Sequence, residues 1–125
     1  MERHPDLLRR DDCALVVVDM QEPFLNAIHG REALTANVAL LCRAARVLNI
    51  PVLTTLQYAS RMGGVVLEIA EALGSDADAP IDKMCFSCGG STEFLEALKA
   101  TGRWQTLLCG VETHICVSQT AHDLT

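Results

Sequence analysis

Short apolar runs and amphipathic stretches alternate along this chain from about residue 13 onward. Ala14–Val18 is apolar without a polar break, the pattern of a strand buried on both faces. Leu34, Val38, Leu41, Ala45 and Leu48 then recur at helical spacing, which predicts a helix over residues 33–48 with those side chains inward. Pro51 follows Asn49-Ile50 and opens a second strand, Val52–Leu56, because proline suits a helix exit and a strand entry. Met62-Gly63-Gly64 reads as a turn, Val65–Leu73 as a helix stopped by Gly74, and Ser75–Pro80 as a polar loop. Ile81–Cys85 is a short third strand. Ser91 or Thr92 caps a helix that turns Phe94, Leu95 and Leu98 inward and Glu93, Glu96 and Lys99 outward, and Gly102 ends it. Gln105–Cys109 is the fourth strand, and an amphipathic stretch from Val117 to Leu124 follows. This alternation predicts an α/β protein with helices layered on both sides of a mainly parallel, Rossmann-like sheet.

Composition narrows the class. A chain of 125 residues, 50% hydrophobic, is one globular domain spanning 1–125. A net charge of −6 without any run of lysine or arginine excludes nucleic acid as an expected partner. No apolar run approaches the ~18 residues of a membrane span, and Met1–Asp12 is charged and lacks the apolar core of a secretion signal. A cytoplasmic protein with no membrane partner is the expectation. The six cysteines then read as reduced thiols, with Cys13, Cys42 and Cys109 inside apolar segments. Cys85-Phe86-Ser87-Cys88 is a C-x-x-C, which raises a redox pair or half a zinc site. Gly89-Gly90 separates it from the following helix and no second ligand pair exists, so neither a dithiol centre nor a metal or other cofactor is expected.

Chemistry concentrates at three strand ends. Leu107–Gly110 runs through a turn to Cys116 at the start of an amphipathic stretch. A cysteine there lies near free backbone N–H groups and the positive helix end, which favour thiolate and can hold an oxyanion. Taken alone it could equally be a buried structural thiol. Asp19 ends the first strand and Lys83 lies in the third. Singly, Asp19 could cap a turn and Lys83 could be a solvated lysine.

Together the three segments resemble the isochorismatase-like cysteine hydrolases, a family that includes nicotinamidases and N-carbamoylsarcosine amidases. The resemblance is carried by Asp19, Met20, Gln21 and Phe24 after an apolar strand, by Lys83, Phe86 and Ser87, and by Gly110, Thr113, Cys116 and Val117. It runs from about residue 12 to the end. Gln57-Tyr58, Met62-Gly63-Gly64 and the segment Gly110–Val117 look most like the isochorismatase-domain hydrolases of unassigned substrate. The resemblance implies a catalytic triad: a Cys116 acyl-enzyme, Asp19 as base and proton shuttle, and Lys83 as the charge that lowers the Cys116 pKa and keeps Asp19 ionised. It also implies an oxyanion hole from the N–H groups of Glu112 and Cys116, beside a cis peptide between Val111 and Glu112. Phe24, Tyr58 and Phe86 are the pocket candidates, and His114 is a weaker base than Asp19. The implied substrate is a small amide or related C–N compound. Leu56–Arg61 lacks the histidines of metal-dependent members, so a metal site is not implied. The family's sheet has about six strands and four are legible here, so the C-terminal strands are expected to be absent. The uncovered apolar surface beside Leu107–Cys109 would then be covered in a homo-oligomer. A catalytically silent fragment or oligomer-interface module is the rival expectation.

Overall fold

Cys13–Val18 forms β1, and every one of its side chains is buried, as an unbroken apolar run requires in a sheet covered on both faces. In the computed structural model, which describes residues 1–125, β1 lies beside β2 (Val52–Gln57) and β4 (Gln105–Gly110), and β3 (Ile81–Lys83) lies beyond β2. All three pairings are parallel, giving the order β3-β2-β1-β4. The chain steps outward from β1 to β3 and then returns to the other side of β1. The cleft between β1 and β4 is therefore the point where strand order reverses, the usual place for a ligand in an open α/β sheet.

Side-chain alternation divides β1 between two cores. Leu15 and Val17 join 13 buried residues under α2 (Arg31–Val47) and α4 (Leu67–Leu73). Val16 and Val18 join a smaller group of 7 under α5 (Thr92–Ala100) and the turn that carries Cys116. Short helices α1 (Glu22–Leu25) and α3 (Ala59–Met62) follow β1 and β2, and α6 (Ser118–Asp123) ends the chain. No helix is long and apolar enough to cross a membrane.

Four boundaries and faces differ from the sequence-based expectation. The inward stripe of α2 is Thr35, Val38, Ala39, Cys42 and Ala45, whereas Leu41 is 44% and Leu48 46% exposed. Small side chains on that stripe let α2 lie close to its neighbours, which a search for large apolar residues overlooks. In α5, Phe94 is buried but Leu95 faces solvent, with Ser91 as the N-cap accepting from the Phe94 N–H. The helix expected from Val65 begins at Leu67, because Val65 pairs with Gln21 in an antiparallel bridge. Strand β3 ends at Lys83 and does not reach Cys85. The carbonyls of Cys85 and Phe86 turn back to accept from the Lys83 ammonium at 3.1 and 2.9 Å, so they leave the ladder.

Candidate active site

Register brings the site together. Val18 is opposite Thr55 on β2 and Gly110 on β4, and Gln57 is opposite Lys83 on β3. The carboxyl ends of all four strands therefore open on one edge of the sheet. Asp19 leaves β1 with φ at 50°, a left-handed conformation that aspartate tolerates better than most residues. Gly110 turns the end of β4 at φ 120°, and a Cβ there would overlap the Val18 backbone. Only glycine lets β4 pass that close to β1 before the chain swings into the Cys116 turn.

Asp19 and Lys83 form a fully buried ion pair: Nζ to Oδ2 is 2.9 Å, with side-chain exposures of 1% and 0%. Charges so placed persist only when their remaining hydrogen-bonding capacity is met. The Thr55 hydroxyl donates to Asp19 Oδ1 at 2.8 Å. Besides Asp19, Lys83 donates to Gln57 Oε1 at 2.7 Å and to the two carbonyls already named. Three ammonium protons thus face four acceptors.

Cys116 lies one turn before α6, inside a π-type turn over Thr113–Val117, and is buried against Val16 and Val18. Its thiol is pushed up to about 11, first by burial and then by the Asp19 charge. Lys83 acts in the opposite direction, and hydrogen bonding to Asp19 adds to the rise. The expectation of a depressed Cys116 pKa is therefore corrected. Desolvation outweighs the cation, whose charge is already matched by Asp19, and the helix that follows is only 6 residues long. Cys116 is a protonated thiol beside a carboxylate, not a standing thiolate.

A cavity of about 90 Å³ opens over these groups. Asp19, Cys116, Gln57 and Glu112 line it together with the apolar side chains of Phe24, Phe86, Val111 and Ile115. Of the three aromatic residues named from the sequence, Phe24 and Phe86 line this cavity and Tyr58 does not. Tyr58 turns the chain out of β2 at φ 49° and is absent from the lining. A larger depression lined by Arg43, Arg46 and Asp76 lies beside α2, and another of about 350 Å³, lined by His29, Leu34 and His114, adjoins this cavity through the shared Val111 and Glu112. The Val111–Glu112 peptide is cis. The Glu112 N–H makes no hydrogen bond to another main-chain group. His114 is exposed and approaches Glu112 at 3.9 Å, outside the lining. Cys85 and Cys88 are free thiols, and no group of three or more His, Cys, Asp or Glu side chains is placed to hold a metal ion.

Gln57 is the site residue that sequence reasoning missed. A polar residue ending an otherwise apolar strand was the available signal. Its main chain is clamped by Gln21, which accepts from the Gln57 N–H at 2.8 Å and donates to its carbonyl at 3.1 Å. Its side-chain amide is fixed as well, since Nε2 donates to the Met84 carbonyl at 3.1 Å.

Comparison with known proteins agrees with this architecture. A "secreted isochorismatase effector Isc1" of Phytophthora sojae is 38% identical over 112 residues, covering 88% of this chain and 53% of that protein. Among solved structures, a MAR1 ribonuclease from Caenorhabditis elegans superposes with a TM-score of 0.83 at 34% identity, over 94% of this chain and 59% of that one. The Escherichia coli YcaC product, described as an octameric hydrolase of unknown specificity, gives 0.84 at 26% identity, over 98% and 61%. The chain spans about half the length of the curated relatives it matches. Residues 13–125 match the isochorismatase domain model, and the chain belongs to that family of α/β hydrolases.

Proposed function

We propose that this chain is a cysteine hydrolase of small amides or related C–N compounds. The observation that carries this is the buried Asp19–Lys83 pair set beside the Cys116 thiol at the floor of a small cavity. Asp19 takes the Cys116 proton as sulfur attacks the substrate carbonyl, then delivers it to the departing amine. Proton transfer coupled to attack suits a thiol whose pKa is raised. Lys83 supplies the counter-charge of the buried Asp19 carboxylate at 2.9 Å. The N–H groups of Glu112 and Cys116 hold the developing oxyanion. Water then hydrolyses the Cys116 thioester, with Asp19 as its base, releasing a carboxylic acid.

The test is a panel of small amides followed by intact-mass detection of an acyl-enzyme. An adduct on Cys116 that vanishes in Cys116→Ala supports the reading. Absence of turnover and adduct across the panel would support the rival, a catalytically silent module. Turnover should survive dialysis against a strong chelator, because the segment after β2 carries no histidine. Homo-oligomerisation belongs to the proposal too: the side chains of β4 from Thr106 to Gly110 are only half-buried, and the related YcaC product is octameric. Free cysteines throughout suit a reducing compartment such as the cytoplasm, although the Phytophthora relative is named as secreted. The name ribonuclease belongs to the nematode protein; here a net charge of −6 and a cavity of this size favour a small molecule over RNA.

A further inference from the structure

The cavity carries a charge preference that follows from how Lys83 is used. Its ammonium lies beneath the site, fully buried, with every proton directed at Asp19, Gln57 or the carbonyls of Cys85 and Phe86. No cationic side chain lines the cavity. What does line it is the Asp19 carboxylate, already matched by Lys83, and Glu112, which approaches the solvent-exposed His114 imidazole at 3.9 Å. Gln57 cannot turn its amide to greet an anion, because both ends are engaged within the protein. The remaining walls include the rings of Phe24 and Phe86.

We infer that the substrate's acyl group carries no negative charge. This deepens, and rests on, the hydrolase reading above. An anion entering here would lose its hydration and find no cation in return, beside Glu112. The same field assists turnover. Attack and hydrolysis convert the neutral amide and one water into a carboxylate and an ammonium ion, so the acid is formed where it is not held.

The experiment compares two alkylating agents that differ in charge. Iodoacetamide and iodoacetate both form a sulfur–carbon bond at Cys116, expel iodide and leave the thiol proton with Asp19 or solvent. The ratio of their rates at Cys116, read by peptide mapping, is measured in the native protein and in urea. The folded site should prefer iodoacetamide by at least about tenfold more than the unfolded chain does, and Glu112→Gln should reduce that preference severalfold. Equal ratios in the two states, or a preference for iodoacetate, would overturn the inference. If the buried thiol resists both reagents, saturation-transfer NMR with propionamide and propionate decides. Binding of propionamide alone supports the inference; binding of propionate, or of neither fragment, counts against it. Protection of Cys116 by a short RNA would overturn it as well. Charge discrimination without amide turnover would sink the hydrolase reading and leave the cavity's preference intact. Turnover of carboxylate-bearing amides would do the reverse.

Discussion

The Asp19–Lys83 side of the site and the Cys116 side are built in different ways. The ion pair hangs from three adjacent strands whose register is set by main-chain ladders, and four further hydrogen bonds from Thr55, Gln57 and two carbonyls hold it. Cys116 sits on a turn after edge strand β4, and its main chain is tied to the segment at Cys88 through Thr120. The Thr120 hydroxyl donates to the Cys116 carbonyl at 2.6 Å and accepts from the Cys88 N–H at 2.9 Å. The core beneath this turn holds 7 buried residues, against 13 on the opposite face. The ion pair is thus held by the sheet, while the proposed nucleophile is carried by a thinly covered segment. Such a division keeps the costly buried charges fixed and leaves mobility to the group that must meet substrate.

The most severe way to break this comparison is Lys83→Met. Leaving Asp19 buried without its cation should cost about 3–5 kcal/mol of stability and abolish turnover. Cys116→Ala should abolish turnover too, but cost only about 1 kcal/mol. Urea unfolding of the two proteins checks this, and equal losses would show that the pair is no more structural than the thiol.

Thr120→Val tests the other side. It leaves the buried Cys88 N–H without its acceptor, at a cost of about 1–3 kcal/mol. Hydrogen exchange should quicken over residues 113–123 and stay unchanged in β1. Acceleration spread evenly across the sheet would mean that the two sides are one cooperative unit.

The pH dependence of Cys116 alkylation sharpens the comparison chemically. With the thiol pushed up to about 11, the rate should climb about tenfold per pH unit from pH 7 to pH 10 and level off only above about pH 11. Removing the Asp19 charge in Asp19→Asn takes away one cause of the rise, so the levelling pH should fall; Lys83→Met should raise it. A plateau already reached at pH 8 would restore a standing thiolate. The smallest effect belongs to Tyr58→Phe, which should change turnover less than about twofold, since Tyr58 does not line the cavity.

Much of this was present in the linear chain. An apolar run of strand length can only be satisfied between two layers, so β1, β2 and β4 were legible from Ala14–Val18, Val52–Leu56 and Gln105–Cys109 to within a residue. Asp19, Lys83 and Cys116 stand out in the sequence because the three motifs that carry them together resemble one family; singly each has a structural explanation, and the parallel register that brings Asp19 and Lys83 to one edge belongs to the fold. Other features depend on neighbours far apart in the chain. The end of β3 at Lys83 was decided by an ammonium that needed the carbonyls of Cys85 and Phe86 as acceptors. Gln57 entered the site because register sets it opposite Lys83, and Tyr58 left it because its backbone turns away. The direction of the Cys116 shift was decided last, since proximity to a lysine lowers a thiol's pKa only where burial and a facing carboxylate do not raise it more. Periodicity and spacing fix which residues can meet; the dielectric surroundings and proton partners that set their chemistry exist only once the strands are side by side.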